Sequence, residues 1–98
     1  AEAAGEVLKE FLREIPAELA GIEACAAAGD RAGVSGHAHS LKGAAAGIGG
    51  DALRSAAFEI EQASRQGDGD SVLSLLPGLR RQFDLLEKAI KTYLGEEE

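Results

Sequence analysis

Cysteine occurs once in this 98-residue chain, at Cys25, and the aromatic side chains amount to three phenylalanines and one tyrosine. A single cysteine excludes an intrachain disulfide and any zinc site built from several thiolates. It fits a reducing, cytoplasmic setting. The shortage of aromatics, beside an apolar content of 45% in which alanine is prominent, argues against a sandwich or barrel. Those folds need β-branched and aromatic runs, whereas small side chains suit closely packed helices. Positive charge is also scarce. Ten Lys and Arg against 17 Asp and Glu leave a net charge of −7, the wrong sign for gripping a phosphate backbone, so nucleic acid is excluded as a partner. No apolar run approaches the ~20 residues that span a bilayer, and the N-terminus has no basic start followed by an apolar core, as a signal peptide would. The reading therefore predicts no direct membrane contact, with any membrane segment of the native protein lying outside this chain.

What is present is helical periodicity. Residues 1–98 read as one domain, near the small end of what folds without staples. The first segment, about Ala3 to Ala28, carries Leu8, Phe11, Leu12, Ile15, Leu19, Ile22 and Ala26 on one face. Pro16 inside it is expected to kink or restart the helix, because proline removes a hydrogen bond. Gly29 ends the segment and Asp30 caps the next, about Arg31 to Gly47. Asp51 is expected to cap the third, about Ala52 to Gln66, with the stripe Leu53, Ala56, Ala57, Ile60, Ala63 and Ser64. Gly67-Asp68-Gly69-Asp70 opens the fourth, about Ser71 to Leu94, where Leu79, Phe83, Leu86, Ile90 and Tyr93 or Leu94 face inward. Pro77-Gly78 is expected to bend that helix near its second turn. Residues 95–98 read as a frayed acidic tail. Four amphipathic helices with short connections predict an all-α, up-down-up-down antiparallel four-helix bundle.

The second helix carries the chemistry. At 100° per residue, Val34, Ala38, Leu41, Ala45 and Ile48 fall within roughly 40° of one direction. His39 then points about 140° from that stripe and Lys42 about 80°. The imidazole is presented to solvent with a cation one turn along, ringed by the small residues Ser35, Gly43 and Ala46. Glycine in a helix interior costs about 0.5–1 kcal/mol relative to alanine, and Gly43 is explained if another molecule must approach the backbone. Imidazole, with a reference pKa of about 6.5, is a competent nucleophile toward phosphorus near neutral pH. The dianion that results is one a nearby ammonium stabilises.

The string Ala38-His39-Ser40-Leu41-Lys42-Gly43, followed by Gly49, Leu53 and the pair Ile60-Glu61, resembles the signature of histidine-containing phosphotransfer (HPt) domains. The resemblance implies that His39 is the phosphoacceptor, that Lys42 stabilises the phosphoryl group and that Gly43 leaves room for a receiver domain. It also implies a covalent intermediate that is no autonomous enzyme and holds no cofactor of its own. The Mg²⁺ and most catalytic groups come with the receiver. Partners would be response-regulator receivers and a hybrid sensor histidine kinase, with this chain a monomer, either cytoplasmic or the cytoplasmic part of a membrane-bound kinase. Two departures stand out: Gly33, Ser35, Gly36 and His37 replace better helix formers before the motif, with His37 where the family more often has an apolar residue, and Pro77-Gly78 interrupts the last helix.

Other features read more simply. His37 and His39 point about 200° apart on a helix and cannot chelate one metal, so no metal site is expected. His37 lies about 60° from the buried stripe, which predicts a packed, hydrogen-bonded histidine at the core edge. Gly47-Ile48-Gly49-Gly50-Asp51-Ala52 has the letters of a dinucleotide fingerprint but follows a helix, so it reads as a turn. Phe58, about 140° from the third stripe, is expected to be partly exposed and to help dock a receiver. Two alternatives remain open: the phosphoacceptor domain of a chemotaxis-type histidine kinase, and a bundle that binds receivers without being phosphorylated.

Overall fold

In the computed structural model, which describes residues 2–95, the apolar stripes of four helices converge on one core. They are α1 (Glu2–Ala28), α2 (Arg31–Gly47), α3 (Asp51–Arg65) and α4 (Gly69–Leu94). The connections are too short to let a helix cross the bundle, so each packs antiparallel to the next, and α4 closes the ring against α1. The long axis is 42 Å, about what a helix of α1's length spans at ~1.5 Å per residue. Leu19, Ile22, Leu41, Leu53, Ile60 and Leu79 are the largest side chains fully withdrawn from water. Each contributes about 1.5–3 kcal/mol by burial, and together they fix which face of each helix turns inward. No strand is found among the described residues. The acidic tail Glu96-Glu97-Glu98 lies outside them.

The helix ends follow from local chemistry. Asp30 caps α2 by accepting from the Gly33 backbone N–H at 3.0 Å, and Asp68 caps α4 by accepting from Ser71 N–H at 3.1 Å. Gly29, Gly49 and Gly67 turn the chain out of the first three helices with φ between 73° and 76°, a backbone that a Cβ would strain. Asp51 departs from the sequence expectation. Gly50 occupies the cap position and Asp51 is the first helical residue, where its charge still favours the helix N-terminus. A Cβ on the buried Gly50 would come within 2.8 Å of Leu86 Cδ2, so a side chain there would have to displace that leucine methyl.

Pro16 does not restart its helix, and Pro77 does not end its own. α1 runs through Pro16 and α4 through Pro77 without a break. Both rings sit on solvent-exposed positions, where water can satisfy the carbonyl each proline leaves without a donor. Ile15 and Leu19 around the first, and Val72 and Leu79 around the second, are held in the same core, and that packing outweighs the local penalty. At the end of α4, Leu94 packs against the core while Tyr93 is exposed, which settles the pair left open by the pattern.

Candidate functional site

α2 is seated by Val34, Ala38, Leu41 and Ala45, all buried, and this anchoring fixes what its opposite face shows. His39 is there, with 63% of its side chain exposed. Its surroundings are bare. Gly43 and Ala46 are exposed and Ser35 is half-buried, and a Cβ built on Gly36, Gly43 or Gly47 would meet nothing within 4 Å. Phe58 on α3 is exposed as its wheel position predicts.

The wheel does not show what lies beneath the imidazole. Glu61 of α3 is 3% exposed, and its carboxylate gathers three basic side chains from two helices. Oε2 lies 3.0 Å from His39 Nδ1 and 2.7 Å from an Arg65 guanidinium nitrogen. Oε1 faces the Lys42 ammonium at 2.8 Å, an ion pair off the ideal hydrogen-bond direction. Burial alone pushes the Glu61 carboxyl up. The contacts with Lys42 and His39 and the charges of Lys42 and Arg65 outweigh it, so the group titrates below its ordinary value of 4.5 and is ionised at neutral pH.

This ionisation decides the tautomer of His39. A carboxylate only accepts, so Nδ1 must carry the proton and donate it to Oε2. Nε2 is then the nitrogen with the lone pair, and it has no protein partner among the described residues. The arrangement can therefore do one thing well: hold the imidazole in fixed orientation with its Nε2 edge to solvent, while a buried negative charge waits to stabilise positive charge developing on the ring.

The cations flank the ring on both sides along α2. Lys42, one turn toward the helix C-terminus, is clamped between Glu61 and the Phe58 ring, whose centroid is 5.1 Å from Nζ. Only 26% of its side chain is exposed. On the other side a shallow depression is lined by Arg31, Ala32, Ser35, Gly36, His39 and Arg65. Ser64 ties this end together, its buried hydroxyl donating to the Arg31 carbonyl at 2.9 Å. Among the positions singled out from sequence, the structure thus brings together His39, Lys42 and Phe58, with Ser35, Gly43 and Ala46 on the surface around them. The helical pattern alone gives Glu61 no role beyond its place in the motif and does not single out Arg65. One signal was available for Glu61: it falls between the stripe residues Ala57 and Ser64, and a carboxylate so placed has to be paired.

His37 is packed elsewhere, as its position at the edge of the stripe predicts. Its Nδ1 is 2.7 Å from Glu18 Oε1 on α1, and its ring lies across Gly21, where a Cβ would come within 2.7 Å of Nε2. The imidazole thus takes the place an apolar residue would fill, using a glycine opposite as its seat. Among the described residues no group of three or more His, Cys, Asp or Glu is placed to hold a metal ion.

A sequence model of the Hpt domain matches residues 6–91. The chain belongs to the Hpt domain family. No curated protein and no solved structure matches it. An Hpt domain is a helical bundle that acts as a phosphotransfer module in phosphorelays, is not an enzyme in itself, and works with receiver domains of two-component systems. In this Hpt domain the motif histidine, the buried carboxylate beneath it and the bare helix face around it all belong to the α2–α3 side of the bundle.

Proposed function

We propose that this Hpt domain is the phosphohistidine intermediate of a two-component phosphorelay, in which His39 accepts a phosphoryl group from the phospho-aspartate of one receiver and passes it to another. The observation that carries this reading is the pairing of His39 Nδ1 with the ionised Glu61, which leaves Nε2 exposed as the nucleophile. In the forward step the Nε2 lone pair attacks phosphorus. The Nε2–P bond forms as the bond from phosphorus to the aspartyl oxygen breaks, and the aspartate leaves with that electron pair as a carboxylate. The ring keeps its Nδ1 proton, becomes cationic, and is stabilised by Glu61. The reverse step, with a second aspartate attacking phosphorus, returns the ring to neutrality.

Lys42 supports the phosphoryl group electrostatically and fixes Glu61 from the side opposite Arg65. The partner brings the Mg²⁺, and this chain needs no cofactor of its own. Ser35, Gly43 and Ala46 let the receiver's acyl phosphate reach the ring, and Phe58 supplies apolar contact. No helix among the described residues is long and apolar enough to cross a membrane. The chain works as a cytoplasmic monomer or as the cytoplasmic part of a membrane-bound kinase, with receivers and a hybrid sensor kinase as partners.

Label transfer from a phosphorylated receiver tests this, run on the wild type, His39→Gln and His37→Gln. Acid-labile, alkali-stable label lost only in His39→Gln is the expected result. Label arriving only from ATP through a kinase domain would favour the chemotaxis-type phosphoacceptor. Receiver binding without label from any donor, in a folded bundle, would leave a binding module.

A further inference from the structure

A cavity of about 210 Å³ opens at the end of the bundle where α1 and α3 finish and α2 and α4 begin. Its inner wall is apolar: Val34 and Val72 are buried, and Cys25 and Ala26 are half-buried. Ser64 is the polar side chain at that depth, and its hydroxyl is already committed to the Arg31 carbonyl. The mouth is formed by Gly29, Asp30, Arg31, Gly67 and Gly69, all exposed. Gly29 and Gly67 turn the chain there with positive φ, and being glycines they leave the entrance free of side chains. The two charged groups at the mouth differ in their commitments. Asp30 is engaged as the cap of α2, accepting from the Gly33 N–H. Arg31 also borders the His39 depression, but its guanidinium turns toward Gly67, where a Cβ would come within 2.8 Å of it. Among the described residues no hydrogen bond or ion pair holds that guanidinium.

We infer that this cavity is a binding site for a small apolar acid, a single ring on a short arm that ends in a carboxylate. The ring lies against Ala26, Val34 and Val72, and the carboxylate sits at the mouth on Arg31. Size sets the body. An apolar cavity of about 150 Å³ takes a benzene ring, so 210 Å³ holds a ring with a short arm and is too small for a long acyl chain. The lining sets its polarity, because with Ser64 already paired a polar body would lose its hydration without gaining a hydrogen bond. Charge sets the head group. A guanidinium fork grips a carboxylate through two parallel N–H donors, and Arg31 is the charged side chain at the mouth with no partner among the described residues. The site uses neither His39 nor Glu61, so it stands or falls independently of the phosphorelay reading.

Phenylacetate is the probe, titrated into the full chain and followed by ¹H–¹⁵N correlation spectra. Saturable shifts confined to the amides of residues 25–34 and 64–72, with a dissociation constant in the millimolar range or tighter, are expected. Acetate, which lacks the ring, and benzylamine, which reverses the charge, should each bind at least roughly fivefold more weakly. Arg31→Gln should weaken phenylacetate by roughly fivefold while leaving the affinity for benzyl alcohol unchanged, which separates the head group from the cavity. Ala26→Leu, which fills the apolar wall, should abolish binding of both. Amide signals outside the two segments report whether each variant keeps its fold, and the exposed Arg31 gives a variant that leaves the core untouched. No saturable shift in the wild type would overturn the site. Benzylamine bound as tightly as phenylacetate, or phenylacetate bound by Arg31→Gln as tightly as by the wild type, would overturn the assignment of an acid to it.

Discussion

Replacing Glu61 by glutamine is the sharpest perturbation the structure offers, because it keeps the shape of the buried side chain and removes its charge. In the wild type, the ionised carboxylate forces the proton onto His39 Nδ1, 3.0 Å away, and frees Nε2. Glutamine can face the ring with either its oxygen or its amide nitrogen. The amide orientation donates to Nδ1 and drives the proton to Nε2, which blocks the nucleophile, while the oxygen orientation turns the amide donors toward the Lys42 ammonium, now 2.8 Å from Oε1. A charge-assisted hydrogen bond to the ring contributes about 1.5–3 kcal/mol. At ~1.4 kcal/mol per decade, its loss as charge develops in the transition state predicts phosphorylation slower by roughly 10- to 100-fold. Stability should fall by less than the ~3–5 kcal/mol of a buried pair broken on one side, because Arg65 is mostly exposed and Lys42 partly so. The assay is the initial rate of labelling by phosphoramidate and by a phospho-receiver, with a long-range ¹H–¹⁵N correlation of the imidazole to read its tautomer. A wild-type ring protonated on Nε2, or a Glu61→Gln chain labelled at the wild-type rate, would refute the reasoning.

Three further outcomes are expected. Gly21→Ala should destabilise by about 1–3 kcal/mol through collision with the His37 ring, yet stabilise by about 0.5–1 kcal/mol in a His37→Ala background, where only helix propensity is left; urea melts of the four chains of this cycle give the answer, and the same sign in both backgrounds would reject the seat. The Glu61 carboxyl titrates lower folded than unfolded, so its contribution is fully present above the ordinary value of 4.5 and lost as pH falls through the depressed one; acid melts should show this pH dependence weakened in Glu61→Gln, and an unchanged profile would contradict it. Phe58→Ala removes a cation–π contact contributing about 0.5–1 kcal/mol and an exposed ring, so receiver affinity measured by calorimetry should drop with the fold retained; equal affinity would remove Phe58 from the docking surface.

The helices and the exposure of His39 and Phe58 could be read from the chain because both depend on periodicity within one helix. Val34, Ala38, Leu41 and Ala45 define α2's inner face, and every outward position follows by rotation. The His39–Glu61 pair could not be read this way. Its partners are 22 residues apart, and only the pairing of α2 with α3 decides which carboxylate lies under which imidazole. Arg65 and Arg31 were hidden for the same reason, as was the fit of His37 onto Gly21, which joins α2 to α1. A restart at Pro16 is what local rules allow, and the core residues on either side of its ring keep α1 continuous instead.

The central claim is that phosphorylation occurs at Nε2 of His39 because Glu61 holds Nδ1. The most direct measurement is a ³¹P- and ¹⁵N-resolved spectrum of the chain labelled by a phospho-receiver, which identifies the ring nitrogen bonded to phosphorus. The account predicts phosphorus on Nε2 of His39, with Nδ1 still protonated. Phosphorus on Nδ1, or on His37, would contradict it.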